Sequence, residues 1–208
     1  VNRFTVTDTR NGSMVELPWT LREGEPLMAL VWADALEMIL GSEAMHQWFS
    51  GALGRRVRLA YMPDSTVRAT DPLYARARVA LNDAFPSLII SRASLDVLNT
   101  WLDAPVPMDR FRPNFVISGG EPFQEDGWKE IVIGAVRFSI VKPCLRCVIV
   151  NTDQISGARS LEPLRTLATH RAVGNKARFG MNATFEGVGT VSVGDVVVRE
   201  GNAGVNIA

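Results

Sequence analysis

The chain has 208 residues, is 47% hydrophobic and 21% charged, and its 22 basic and 22 acidic side chains cancel to a formal charge of zero. That is a soluble globular profile, long enough for one sizeable domain or two small ones, and its neutrality argues against nucleic acid or an anionic membrane as the main partner. No apolar run approaches the ~18 residues of a membrane span, and two cysteines do not make a disulfide framework, so a reducing cytoplasm is the expected compartment.

The chain opens at Val1 with strand-like sequence, without an initiator Met or a signal peptide, so a longer protein upstream is expected. Residues 3–7 and 27–32 read as strands. Ser42 is an N-cap for a helix over residues 43–53, with Ala44, Met45, Trp48, Phe49 and Ala52 as its apolar face and Gly54 as its stop. Val57, Leu59 and Tyr61 alternate at strand period. Residues 72–76 read as irregular. Residues 87–91 form a short buried strand, and Ser91 or Ser94 then caps a helix that buries Leu95, Leu98 and Leu102. Further strands are expected at 115–117, 130–133, 136–141 and 148–150, separated by Gly and Pro signals. Glu162-Pro163 starts a short helix to about His170, and residues 189–199 supply two strands around Gly194-Asp195. Many short strands with few helices imply a mixed α/β, strand-rich, β-barrel-like fold, not an alternating βαβ sheet.

The chemistry-bearing stretch is Lys142-Pro143-Cys144-Leu145-Arg146-Cys147, which holds both cysteines. A thioredoxin-like redox pair needs its first thiol at a helix N-terminus, whereas here Val148-Ile149-Val150 reads as strand. A zinc site needs four ligands, and His46 and His170 lie at spacings that fit no finger or knuckle. Two readings stay open. The thiols can be small buried apolar groups. Alternatively one is a single thiolate ligand for a soft metal held mainly by something else, with a neighbouring arginine favouring the thiolate and pairing with an anionic cofactor.

Other strings surround this pair: Arg110-Phe111-Arg112-Pro113-Asn114 and Glu125-Asp126-Gly127-Trp128 upstream, Glu162-Pro163-Leu164 and Phe179-Gly180-Met181-Asn182 downstream. Together they resemble the MOSC domain, the molybdenum-cofactor sulfurase C-terminal type, and most of all its amidoxime-reducing and YcbX-like branch. The resemblance implies a β-barrel-like MOSC domain over residues 70–208, with residues 1–69 the remainder of the β-rich region that precedes it. It implies a molybdopterin molybdenum cofactor with Cys147 as metal ligand and catalytic residue. It assigns Asp83, Arg112, Asn114 and Arg146 to cofactor binding, together with Phe179 and Asn182 in a turn near the same pocket. Cys144 matches a position that is not the ligand. The implied activity is reduction of small N-hydroxylated substrates. The chain has no cysteines for an iron–sulfur centre, so the electrons would come from a separate donor protein. The alternative is a non-catalytic carrier of the cofactor or of sulfur on Cys147.

Taken singly, these residues also have plain structural readings. Arg112 suits a surface ion pair and Asn114 a turn. Glu125-Asp126 reads as a turn or a solvent-facing acid pair, His46 as a partly exposed helix residue, and His170 as a residue that caps a helix or meets its dipole. No nucleophile elbow and no phosphate-binding Gly-rich loop is present.

Overall fold

A computed structural model describes residues 2–199 and 202–207; Val1, Glu200, Gly201 and Ala208, which the sequence reading took in at the chain start and in its last segment, lie outside the described residues. The chain divides into two compact units. The first comprises Val1–Ala69 and Arg78–Asp83, the second Thr70–Ala77 and Ala84–Ala208.

In the first unit, β1 (Arg3–Thr7) and β2 (Met14–Pro18) form an antiparallel hairpin, and β3 (Pro26–Val31), β4 (Asp34–Leu40) and β5 (Ala60–Tyr61) form a second small antiparallel sheet. Helix α1 spans Glu43–Leu53; Ser42 Oγ caps it by accepting from the Met45 N–H, and Gly54 ends it in the left-handed region at φ 64°. The hairpin is tied down at Asp8, whose carboxylate takes both the backbone N–H and the guanidinium of Arg10; Arg10 also reaches the Ala52 carbonyl of α1. Arg68 is buried and holds residues 78–83 to this unit. Its Nε donates to Asp34 Oδ2 at 2.6 Å and its Nη1 to the carbonyls of Ala80 and Asn82. The strand expected over residues 57–61 shrinks to Ala60–Tyr61, because the backbone before it bonds to side chains of α1 and not to a neighbouring strand.

The second unit is a barrel-like sheet. Its strands are β6 (Ser87–Ser91), β7 (Phe115–Ser118), β8 (Glu130–Ile133), β9 (Val136–Arg146), β10 (Ala172–Val173), β11 (Lys176–Glu186), β12 (Val196–Arg199) and β13 (Asn202–Ile207). They run in the order β10-β11-β6-β7-β13-β12-β8-β9, and β11 also pairs with β9, which nearly closes the sheet on itself. The mixed α/β, strand-rich, barrel-like expectation is borne out. Alternating inward residues fill the interior, among them Ile89, Ile117, Ile131, Ile133, Phe138 and Val197. A second cluster lies under α2 (Arg92–Thr100) and α3 (Leu164–His170), built on Ile90, Leu98, Phe111, Leu167 and Phe179. Ser91 is the N-cap of α2.

Several local expectations change. Residues 148–150 form a 3-10 turn (Val148–Asn151) instead of a strand, because only Val150 among those three is buried. Residues 189–193 carry no strand, so Val196–Arg199 is the one strand in the expected pair. Glu125 is no solvent-facing acid: it is 1% exposed, and its Oε1 accepts from the Ser91 N–H at 3.1 Å and the Ser94 hydroxyl at 2.7 Å at the start of α2. His46 is buried, with Nδ1 accepting from the Leu59 N–H at 3.1 Å. His170 stacks on Trp101 with ring centroids 4.2 Å apart.

Candidate functional site

The C-terminal end of β9 sets the geometry. An extended chain alternates its side chains, so Cys144 and Arg146 share one face and Leu145 points to the other. Arg146 Nη1 lies 2.9 Å from Cys144 Sγ, and Nη2 donates to the Phe111 carbonyl at 2.8 Å. The guanidinium also lies over the Phe111 ring, and its Nε is buried without a partner among the described residues. Arg146 therefore clamps β9 to the 3-10 turn Met108–Phe111. The arginine expected to favour the Cys147 thiolate is on Cys144 instead.

Cys147 follows β9 with an extended backbone (φ −114°, ψ 179°) and is exposed, which removes the buried-thiol reading for this residue. Neither cysteine is in a disulfide. Three residues of strand separate their Cα atoms by about 10 Å, beyond the ~7 Å that a disulfide spans. The redox-pair reading therefore fails on geometry. The zinc reading fails as well, since among the described residues no three His, Cys, Asp or Glu side chains gather to hold a metal.

Arg112 ends the 3-10 turn in the left-handed region at φ 53°, a conformation uncommon for a long side chain. Its exposed guanidinium makes no hydrogen bond or ion pair among the described residues. Two residues on, Asn114 brackets Leu88. Its N–H donates to the Leu88 carbonyl at 2.9 Å and its Oδ1 accepts from the Leu88 N–H at 2.8 Å, which leaves the amide Nδ2 over. Leu88 is in register with Asn182 of β11, and Asn182 with Lys142 of β9. Asn114 and Asn182 thus flank one residue of β6. The neighbouring Arg110, almost buried, pairs with Asp153 at 2.9 Å. Hydrogen bonds from the Ser156 backbone and hydroxyl, aided by Arg110, hold the Asp153 carboxyl below its usual range.

Phe179 and Asn182 do not form a turn. Both lie within β11, and a bulge at Gly180 shifts the register between Arg178↔Leu145 and Met181↔Pro143. Gly180 has φ 77°, and a Cβ there would stand 2.5 Å from Ile90 Cγ1, so only glycine fits. Phe179 is fully buried against Phe111, with ring centroids 4.5 Å apart, and so backs the surface on which Arg146 rests. Asp83 is an exposed bend residue of the first unit. Sequence reasoning missed Lys142, whose Nζ lies 3.7 Å from the centre of the Tyr74 ring and is flanked by Phe85. A lysine directly before Pro143-Cys144 and after the apolar pair Ile140-Val141 was the available signal.

The MOSC domain profile matches residues 76–198, more than half of the chain. The chain belongs to the MOSC domain family. Among curated MOSC relatives, mitochondrial amidoxime-reducing component 1 of Homo sapiens is 35% identical over 170 residues, covering 74% of this chain and 50% of that protein. Mitochondrial amidoxime reducing component 2 of Rattus norvegicus is 36% identical over 170 residues, with the same two shares of 74% and 50%. Molybdenum cofactor sulfurase of Oryza sativa subsp. japonica is 33% identical over 178 residues, covering 76% of this chain and 22% of that protein. The chain spans about half the length, or less, of the curated relatives it matches. Among the described residues no helix is long and apolar enough to cross a membrane.

The donor set fits a molybdopterin cofactor. One exposed thiol, outside any cluster of three His, Cys, Asp or Glu side chains among the described residues, suits a metal that arrives already held by sulfur. An uncommitted guanidinium at Arg112 and a spare amide at Asn114 suit an anion with several acceptors.

Proposed function

We propose that this MOSC protein binds a molybdenum cofactor through Cys147 and reduces small N-hydroxylated substrates with electrons from a separate donor protein. The observation that carries this reading is the exposed Cys147 at the end of β9, supported by relatives named as amidoxime-reducing components. When bound, the cofactor supplies the two-electron couple by which an N–OH group becomes N–H and its oxygen leaves as water. Cys147 is the protein's ligand and the catalytic residue of this reading. Arg112 and Asn114 hold anionic and amide-accepting parts of the cofactor, and Asn182 lines the same run of the sheet. Arg146 and Phe179 act from behind: one fixes the β9 end, the other supports Phe111 beneath it. Asp83 enters on the resemblance alone.

In the same reading, residues 70–208 are the MOSC domain and residues 1–69 the remainder of its N-terminal β-rich region. A cytoplasmic location agrees with two cysteines outside any disulfide. Benzamidoxime turnover by the molybdenum-loaded chain, with a chemical reductant as donor, tests the activity. Reduction to benzamidine that is lost in Cys147→Ser is the expected result; equal turnover by that variant contradicts it.

A carrier of the cofactor or of sulfur is the second reading, favoured by the sulfurase relative and the open position of Cys147. Intact-mass detection of persulfide on Cys147, without amidoxime turnover, would select it.

A further inference from the structure

The segment that follows α1 is unusual in how its backbone is satisfied. Ser50 Oγ donates to the Val57 carbonyl at 3.1 Å and accepts the Val57 N–H at 3.0 Å. Two residues on, His46 Nδ1 accepts the Leu59 N–H. The helix thus fixes an extended run whose alternate residues are Arg56 and Arg58. Both arginines point into a cleft of about 240 Å³ that His46, Gln47 and Glu43 also line.

Most of the groups left over in that cleft are donors; the acceptors beside them are the second Glu43 carboxylate oxygen and the Gln47 side-chain carbonyl. Because Nδ1 of His46 accepts, the ring proton sits on Nε2, and the imidazole is nine-tenths buried with that N–H as its one remaining polar function. Arg56 and Arg58 make no hydrogen bond or ion pair among the described residues. Glu43, the one carboxylate lining the cleft, takes the Gln47 amide at 3.2 Å and neither arginine. Two guanidinium forks and a fixed imidazole N–H cannot satisfy one another, which favours an occupant that brings several acceptors to all three at once. A planar carboxylate occupies one fork, whereas a tetrahedral oxyanion has oxygens for both forks and the imidazole together.

We propose that this cleft in the first unit is a binding site for a phosphate group of a small molecule, held by Arg56, Arg58 and His46. It shares no residue with the Cys147 site and does not depend on the function proposed above.

The test is an NMR titration of the full chain with inorganic phosphate at physiological salt, following the His46 imidazole and the Leu59 amide, with acetate as control. Saturable shifts with a dissociation constant at or below about 1 mM, absent with acetate, are expected. The double variant Arg56→Ser, Arg58→Ser weakens binding at least tenfold. Arg56→Lys, which keeps the charge and loses the fork, weakens it less; this milder change also serves if the double variant does not fold. Shifts that rise linearly and equally with both anions, or a saturation curve that the variants leave unmoved, overturn the proposal.

Discussion

The two halves of β9 are continuous in the chain and opposite in what they hold. Residues 136–139 pair with β8 on one side and β11 on the other, and their inward side chains, Val136 and Phe138, lie in the barrel core. Among the described residues, residues 143–146 pair with β11 alone, and the Arg146 side chain ties them to the 3-10 turn before β7. The strand is thus rooted by packing in one half and held by a polar tie in the other. The lost partner is also what admits Pro143, since an edge strand can spare an N–H.

Four substitutions and one titration put that contrast to the test. Phe138→Ala, in the rooted half, leaves a cavity beside Phe115 and Phe185 and should cost about 3–5 kcal/mol in urea unfolding. Gly180→Ala strikes the bulge that brings the polar half into register. The added methyl meets Ile90 and the Ile89 carbonyl, so a loss of about 2 kcal/mol is expected, read by the same unfolding curve. Arg146→Met keeps the packing on Phe111 but orphans its carbonyl, for about 1–2 kcal/mol. Cys147→Ala should change stability by less than about 0.5 kcal/mol, because the thiol is exposed and makes no hydrogen bond among the described residues.

The smallest effect is on pH. The Asp153 carboxyl is held low in the folded chain, so it stabilises the fold above its unfolded value of about 4. That contribution disappears as pH falls from there through the lowered folded value. Carbon-detected NMR of the Asp153 carboxyl should give a titration midpoint below the ~3.9 of an unperturbed aspartate. A midpoint at or above it contradicts the assignment.

What the sequence made legible was local. Ser42 and Gly54 bound α1 at the expected residues, and the buried run of residues 87–91 is β6, because caps and short apolar strands are written in neighbouring residues. What it hid was non-local. Pro143 reads as a strand breaker until the missing neighbour beyond residue 139 is known. Phe179-Gly180 reads as a turn, yet β6 packed against Gly180 makes it a bulge. Glu125 finds its partners more than 30 residues away, at the start of α2. The same holds at the candidate site. Cys147 and Arg112 stood out from the motif, whereas the attachment of Arg146 to Cys144 and Phe111 follows from strand alternation and from a turn far upstream.

In the proposed function, Cys147 at the end of β9 holds the molybdenum cofactor. Molybdenum content by mass spectrometry, on the chain and on Cys147→Ala expressed in cells that make molybdopterin, is the test of that role. About one molybdenum per chain in the first and almost none in a folded second is the expected result. Equal molybdenum in both, or none in either, would contradict it.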